Sequence, residues 1–196
     1  MLLQEPDDMP SLTRRAEGDL QFIRAIMQRT SRMMPMPGWS IAAVGLIGLL
    51  TAWLSRLLQG NQWVLAWCVA ATSALLVTIA TSSWQVRHRG KSIIVGGYRE
   101  FWSSLWPAFF AAGLLTLALM KTAQFELLSG TWLLCYGVGV LAASRHTVVQ
   151  VAWLGYGFLL LGIPALFLPW SNLFMGLGFG FLHLLIGYLI TRSDHD

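Results

Sequence analysis

His183 is the ionisable side chain that stands deepest inside a long apolar segment of this sequence, and it is the first candidate for chemistry. Ionisable groups in such segments are costly to bury, so each one is a functional candidate. Gly176, Gly180 and Gly187 share a helical stripe with His183, at successive spacings of 4, 3 and 4 residues. Small residues at these spacings let a neighbouring helix approach closely. The pattern therefore predicts that His183 faces another helix.

Three roles fit a histidine in this position. In the first, the neutral imidazole hydrogen-bonds a side chain on a neighbouring helix. The partners that the sequence offers are Tyr136, Thr72 and Ser73, and these residues with His183 make up the candidate polar interior. The other two roles are a ligand to haem or to a metal ion and a group that relays protons.

The haem and metal roles find little further support in the sequence. The other histidines are His88, His146 and His195, and His146 is expected at the end of its apolar segment. His183 lies about seven residues, or roughly 10 Å, inside the end of its own segment, so the two would not share one iron. No H-x-x-x-H or C-x-x-C spacing occurs. We therefore expect no metal site and no bound cofactor, and we keep His183 as the candidate cofactor ligand.

Carboxylates are missing from the interiors of the apolar segments. Glu100 and Glu126 stand at segment ends, and the other acidic residues lie in the two terminal regions. Proton pumps and cation transporters generally use a carboxylate within the membrane. No nucleophile–base arrangement, Walker loop or dinucleotide-binding fingerprint occurs either. The sequence therefore predicts a protein that is not an enzyme.

The apolar segments themselves predict an all-α membrane protein. Of the 196 residues, 56% are apolar and 11% are charged, whereas soluble domains carry about 25% charged residues. We predict a six-transmembrane-helix bundle over residues 38–192, in which each span approaches the ~20 residues that a membrane crossing needs. The spans are expected at 39–58, 62–83, 103–121, 128–144, 148–168 and 171–190. Similar stretches that begin at Gly48, Gly113 and Gly162 suggest an arrangement as three helical hairpins.

Basic residues give the orientation of these spans. With six spans and an internal N-terminus, eleven of the 13 Lys and Arg residues fall on the inner side, and Arg56 and Lys121 fall on the outer side. Basic residues accumulate in short cytoplasmic loops. We therefore predict a multi-pass membrane protein with both termini in the cytoplasm.

The N-terminal tail, residues 1–37, is the first candidate contact surface. Residues 11–34 predict an amphipathic helix, with Arg24 and Arg32 away from its apolar stripe. A basic amphipathic helix before a span either lies on the membrane surface, where arginines reach lipid phosphates, or docks a partner.

A second candidate surface lies in the inner connections. Residues 84–102 are predicted to form the one substantial loop. Arg145 and His146 follow the fourth span at once, where they mark the inner side, bind a lipid phosphate or close a cytoplasmic vestibule. The candidate contacts to lipid or to a partner in these connections are Arg87, Arg89, Arg145 and His146.

Two groups of short motifs carry a resemblance to known proteins. The C-terminal half contains Tyr136-Gly137, Trp153-Leu154-Gly155 and Gly178-Phe179-Gly180-Phe181-Leu182-His183, and the N-terminal part contains Ile23-Arg24 and Pro37-Gly38-Trp39. Together they resemble a family of uncharacterised bacterial six-helix membrane proteins, whose members are often encoded beside winged-helix regulators. The resemblance implies a protein of the bacterial inner membrane in a regulatory or sensing context, and it brings no activity with it. A looser similarity is to six-helix acid-resistance membrane proteins built from glycine-rich hairpins.

Three functional hypotheses follow. The first is a non-catalytic regulatory, sensing or accessory module that binds a protein partner or a small ligand. The second is a small-solute transporter or channel, which needs a polar path through the bundle. The third is a redox subunit that holds haem or quinone at His183. Expected contacts are membrane lipids, a protein partner on the cytoplasmic face and further copies of the chain, and nucleic acid is not expected.

Overall fold

The described part of the chain folds into helices. The computed structural model describes residues 17–21, 37–89 and 91–193, and the regular elements within these ranges are all helical. The prediction of an all-α fold is confirmed. Residues 17–21 form an exposed helical stretch, whereas the rest of the predicted amphipathic helix 11–34, with Arg24 and Arg32, lies outside the described residues.

Apolar runs rich in leucine, alanine and glycine form the main helices. Pro37 precedes the first of them in extended backbone, where a proline deprives no helical carbonyl of a donor. The helices are α1 (Gly38–Leu54), α2 (Gly60–Arg89), α3 (Lys91–Lys121), α4 (Leu127–Ala143), α5 (Gln150–Ala165), α6 (Ser171–Met175) and α7 (His183–Ser193). A π-helical segment, Gly176–Leu182, joins α6 to α7, and Ser171–Ser193 is called the last helix below.

Five helical segments in the described ranges are long and apolar enough to cross a membrane. They are Gly38–Leu57, Gly60–Trp84, Tyr98–Lys121, Leu127–His146 and Ser171–Ser193. Each of them overlaps one predicted span. The remaining predicted span, 148–168, contains α5, which is a shorter apolar helix of 16 residues. The chain therefore has the helix lengths and composition of an integral membrane protein.

The segment predicted as an inner loop is largely helical. α2 continues to Arg89 and α3 begins at Lys91, so helix covers nearly all of residues 84–102. The loop prediction was wrong because the apolar pattern ends near Trp84 while the helix does not. Arginine, lysine and glutamine have good helix propensity, and they continue a helix that the apolar residues began.

The helices form a ring with two tightly packed pairs. Around the ring the order is α2, α1, the last helix, α5, α4 and α3, and α3 closes the ring by a light contact with α2. The most extensive contacts are between α4 and α5 and between α1 and the last helix. Both pairs join helices that belong to different predicted hairpins.

Glycines allow these two pairs to approach closely. A Cβ atom on Gly48 of α1 would lie 2.9 Å from the amide nitrogen of Gly180, and one on Gly137 of α4 would lie 3.1 Å from the carbonyl oxygen of Gly155. Helices in lipid associate largely through close van der Waals packing, because lipid is as apolar as the side chains. Backbone contact at these glycines therefore holds the ring together.

The two ends of the bundle differ. At one end the connections 55–60, 123–127 and 169–173 come together around an opening, and this is called the cleft end. At the other, called the hairpin end, α2 and α3 extend beyond their apolar parts and the 3-10 turn Ser144–His146 contacts α3.

Candidate functional site

Tyr136 and His183 form a buried hydrogen-bonded pair between α4 and the last helix. The Tyr136 hydroxyl lies 3.0 Å from His183 Nε2, and His183 Nδ1 lies 3.3 Å from the carbonyl oxygen of Gly178. A buried imidazole with no opposite charge beside it is neutral. A carbonyl oxygen only accepts, so Nδ1 donates to Gly178, and Nε2 accepts a hydrogen bond from the Tyr136 hydroxyl. His183 is 3% exposed. The pair is therefore a neutral unit in which both ring nitrogens are bonded.

The π-helical segment before His183 sets this geometry. A π-helix brings residues five apart above one another, in place of the four of an α-helix. Gly178 and His183 are five residues apart. Gly178 lies within this segment, and His183 follows it directly. A Cβ atom at position 178 would overlap Leu133 Cδ2 and would lie 3.1 Å from the Phe158 ring, so a side chain there would push these neighbours away. Glycine at 178 therefore keeps the last helix close to Leu133 and Phe158.

Aromatic rings fill the space around the pair. The Tyr136 ring centroid lies 4.6 Å from that of Phe158 and 5.0 Å from that of Phe179. The Phe179 ring stacks on His183, with 6.1 Å between centroids and 15° between planes. Phe158 is fully buried. The pair is thus enclosed by rings rather than open to a polar path.

The structure places Thr72 and Ser73, the other members of the predicted polar interior, away from this pair. Thr72 is exposed and Ser73 is partly exposed. Their hydroxyls donate within α2, Thr72 to the carbonyl of Cys68 at 2.9 Å and Ser73 to that of Val69 at 2.8 Å. Hydroxyls that bond their own helix need no partner on another. Of the predicted set, only Tyr136 and His183 come together.

The same bonds bear on a ligand role for His183. An iron or other metal ion binds imidazole through the lone pair of a ring nitrogen. The Nε2 lone pair of His183 already accepts the Tyr136 hydroxyl, and Nδ1 faces Gly178. Across the described ranges, no three or more His, Cys, Asp or Glu side chains form a group that could hold a metal ion.

A second polar cluster, which the sequence did not reveal, lies at the cleft end. Asn172 Oδ1 accepts a bond from Ser55 Oγ at 3.0 Å and one from Trp63 Nε1 at 2.6 Å. Its Nδ2 donates to the Ser55 carbonyl oxygen at 3.1 Å. These bonds join α1, α2 and the last helix. The available signal was an amide side chain at the start of an apolar segment, where polar residues are costly unless bonded.

An open cleft of about 950 Å³ lies over this cluster. The buried Trp63 and the half-buried Asn172 form its floor. Arg56, in the turn that follows α1, and Glu126, immediately before α4, are among the residues that line the cleft. The volume falls within the ~300–1,000 Å³ that is typical of small-molecule sites.

At the hairpin end, the predicted contact residues separate. His146 Nδ1 lies 3.2 Å from Glu100 Oε2, so it links the α4–α5 connection to α3. Arg145 and Arg87 are exposed. The side chain of Arg89 is not among those described. Arg145 and Arg87 are therefore accessible from outside the bundle, whereas His146 contacts α3 within it.

Comparison with protein-family models, with curated proteins and with solved structures gives no match to this chain. The resemblance to bacterial six-helix membrane proteins therefore stays a prediction from short motifs.

Trp63 and Trp67, one turn apart on α2, give a matched test of the Asn172 cluster. The Trp63 N–H donates to Asn172, whereas the buried N–H of Trp67 has no hydrogen-bond partner within the described structure. Replacing either residue by Phe removes a similar ring area, but only Trp63→Phe removes a hydrogen bond. We expect Trp63→Phe to cost about 1 kcal/mol more than Trp67→Phe in the free energy of unfolding. Thermal unfolding in detergent measures the difference, and equal losses would contradict the assignment of Trp63 to the cluster.

Proposed function

We propose that the protein is a non-catalytic accessory or regulatory module of the bacterial inner membrane, which docks an acidic protein partner on the cytoplasmic hairpin of α2 and α3. The observation that best supports this proposal is the length of α2 and α3. They have 30 and 31 residues, or about 45 Å at 1.5 Å per residue, whereas the hydrocarbon core is about 30 Å thick. The apolar parts end at Trp84 and resume at Tyr98, so the helices project roughly 10 Å past the membrane.

The proposal includes six spans, and the register of α5 supports the sixth. α5 runs antiparallel to α4, since Gly130 faces Leu166 near one end and Leu141 faces Gly155 nearer the other. The segment Leu127–His146, which consists of α4 and the turn after it, is long enough to cross. Because α5 packs along α4 over this length, α5 reaches the same depth in the membrane, although it has only 16 residues. Each cleft-end connection would then join two consecutive spans, as the three-hairpin arrangement expects.

The distribution of basic residues supports a cytoplasmic hairpin end. Arg87, Arg99, Arg145 and Arg192 lie there, as do Arg89 and Lys91 by their sequence positions, while Arg56 and Lys121 lie at the cleft end. Basic residues near span ends are retained in the cytoplasm. Both termini would lie on that side of a six-span chain.

A protein partner accounts for the hairpin better than lipid does. Arginine side chains at the membrane boundary reach lipid phosphates by extending along the surface, and they need no projecting helices. The projecting part instead carries Arg87, Arg89 and Lys91 and no acidic residue, while Arg99 and Glu100 stand at the start of the apolar part of α3. An acidic surface on a cytoplasmic protein complements this charge.

The two alternative functions have less support from the interior. A channel or transporter needs a polar path, and the residues suggested for one are divided between an enclosed pair and the outer face of α2. A haem-binding subunit needs a free nitrogen on His183, and both nitrogens are bonded. Neither alternative uses the projecting hairpin.

Single cysteines test the topology and the docking together. With Cys68 and Cys135 replaced by alanine, Arg87→Cys reports on the hairpin and Gln59→Cys on the cleft end. A membrane-impermeant maleimide should label Gln59→Cys in intact cells and Arg87→Cys only after permeabilisation. A photo-crosslinker attached at Arg87→Cys should then capture one protein repeatedly from native membranes, and attached at Gln59→Cys it should not.

Charge reversal gives the matched control for docking. Arg89→Glu should reduce the captured protein several-fold, because it reverses a complementary charge on the projecting end of α2. Arg145→Glu changes the same charge at the same end but lies outside the hairpin, and it should leave capture intact. Crosslinks to lipid alone at Arg87→Cys would contradict a protein partner, and labelling of that cysteine from outside would contradict the topology.

A further inference from the structure

Two opposite charges face the cleft from different connections. Arg56 belongs to the turn after α1, and Glu126 stands immediately before α4. Within the described ranges the one acid–base contact closer than 4.0 Å is between Glu100 and His146, so Arg56 and Glu126 do not pair with each other. A cation and an anion that share one opening without pairing favour a ligand that carries both signs.

Arg56 is held in place by Trp53. Its Nε donates to the Trp53 carbonyl oxygen at 3.0 Å, and the guanidinium carbon lies 5.1 Å from the centre of the Trp53 ring. These contacts leave the terminal nitrogens as donors for a ligand. A guanidinium presents them in a fork that matches two oxygens of a phosphate. Because the side chain is positioned in advance, less entropy is lost on binding.

The remaining walls are suited to an amphipathic ligand. Leu58, Leu127 and Leu173 line the cleft together with the aromatic rings of Trp170 and Phe125. Trp170 and Leu173 are exposed, and tryptophan at a span end lies at the level of the lipid headgroups. The cleft therefore offers an apolar wall beside its two charges.

We infer that the cleft binds a phosphoethanolamine group, with the phosphate on Arg56 and the ammonium on Glu126. The group has two sources, the headgroup of a membrane phospholipid and a free phosphate ester, and the apolar wall favours the lipid. The ammonium also meets the aromatic faces of the cleft, which attract cations. The position of the cleft in the outer leaflet rests on the proposed topology, whereas the binding itself rests on the residues named here.

Native mass spectrometry of the full chain in detergent tests the inference. Phosphatidylethanolamine and phosphatidylglycerol, which share the phosphate and differ in the ammonium, are added in equal amounts. We expect the wild type to retain phosphatidylethanolamine about fivefold more than phosphatidylglycerol, as expected for one exposed charge contact. Glu126→Gln should abolish this preference, and Arg56→Gln should lower retention of both lipids by a similar factor. Lys121→Gln removes a charge at the same end outside the cleft and should behave as the wild type.

Free O-phosphoethanolamine separates the two sources. A rise in Tm of the wild type, absent in Glu126→Gln and Arg56→Gln, would assign the site to the free ester. Selective lipid retention without such a rise would assign it to the headgroup. Equal retention of the two lipids by the wild type with no rise in Tm would overturn the inference, as would wild-type behaviour of both cleft variants. These measurements do not depend on the hairpin of α2 and α3. Lipid binding in the cleft can therefore hold or fail independently of partner binding at the hairpin.

Discussion

Gly48→Ala is expected to destabilise the bundle by about 1–3 kcal/mol or more, while Gly113→Ala leaves its stability unchanged or slightly raised. A Cβ atom on Gly48 would lie 2.5 Å from the carbonyl carbon of Phe179 and 2.9 Å from the nitrogen of Gly180. Real Cβ atoms essentially never come within 3.0 Å of such neighbours. Because both contacts are with backbone, no rotamer change relieves them, and α1 must move away from the last helix.

The control lies in the same kind of environment without the contact. Gly113 is inside α3, and a Cβ atom there would have nothing within 4 Å. Removing a glycine from a helix interior favours the helix by roughly 0.5–1 kcal/mol, whereas overpacking costs about 1–3 kcal/mol and sometimes more. The two identical substitutions should therefore act in opposite directions.

Unfolding in detergent, followed by circular dichroism or by loss of the monodisperse peak in size-exclusion chromatography, measures both variants against the wild type. Separation of α1 from the last helix would also loosen Asn172 from Ser55, because these residues bond across the same pair of helices. If Gly48→Ala unfolded at the wild-type temperature, the close packing of α1 on the last helix would be refuted.

The apolar blocks alone were enough for the helical class and for most helix positions. Five of the six predicted spans overlap helices long enough to cross a membrane, because ~20 consecutive apolar residues have few other stable forms. The boundary of a span and the boundary of a helix are different quantities, however. Hydropathy locates the first, and α2 shows that a helix continues through Gln85 and Arg87 once the apolar part has ended.

Which helices pair could not be derived from glycine spacing. Gly176, Gly180 and Gly187 were predicted to share a stripe with His183, and the glycines do meet α1, at Ala52, Leu49 and Gly38. His183 instead reaches Tyr136 on α4. The three glycines keep α1 as their neighbour across the π-helical segment, whereas the His183 ring bonds Tyr136 and Gly178. Glycine spacing therefore locates a close helix contact, but it does not give the direction of a long side chain that stands among the glycines.

The cleft was missed for a related reason. Its parts come from three connections that are far apart in the sequence, and each contributes one or two polar residues. Asn172 gains its meaning only when Ser55 and Trp63, more than one hundred positions away, are brought beside it. Contacts between residues so far apart in the sequence depend on how the helices pack. The residue spacing within a single sequence does not reveal this packing.

His183→Ala is expected to cost about 3 kcal/mol in the free energy of unfolding, and His183→Asn distinctly less. Alanine leaves a cavity between Phe158 and Phe179, where loss of a large buried side chain costs about 2–5 kcal/mol. It also leaves the Tyr136 hydroxyl and the Gly178 carbonyl without partners, which adds to the loss. Asparagine keeps one donor and one acceptor. Thermal unfolding of the two variants in the same detergent compares them, and equal stability would exclude a hydrogen-bonding role for His183.

A double-mutant cycle with Tyr136→Phe then separates the hydrogen bond from the cavity. Interhelical hydrogen bonds in membranes contribute about 0.6 kcal/mol on average and at most about 1.7 kcal/mol, so Tyr136→Phe alone should cost about 1 kcal/mol. In the His183→Ala background that cost should vanish or change sign, because the hydroxyl has then already lost its acceptor and is better removed. An undiminished cost would mean that Tyr136 acts independently of His183. The absorption spectrum of the same preparations tests a haem role separately, because a purely structural histidine has no effect on it. A Soret band that is lost in His183→Ala and kept in Tyr136→Phe would identify His183 as a haem ligand.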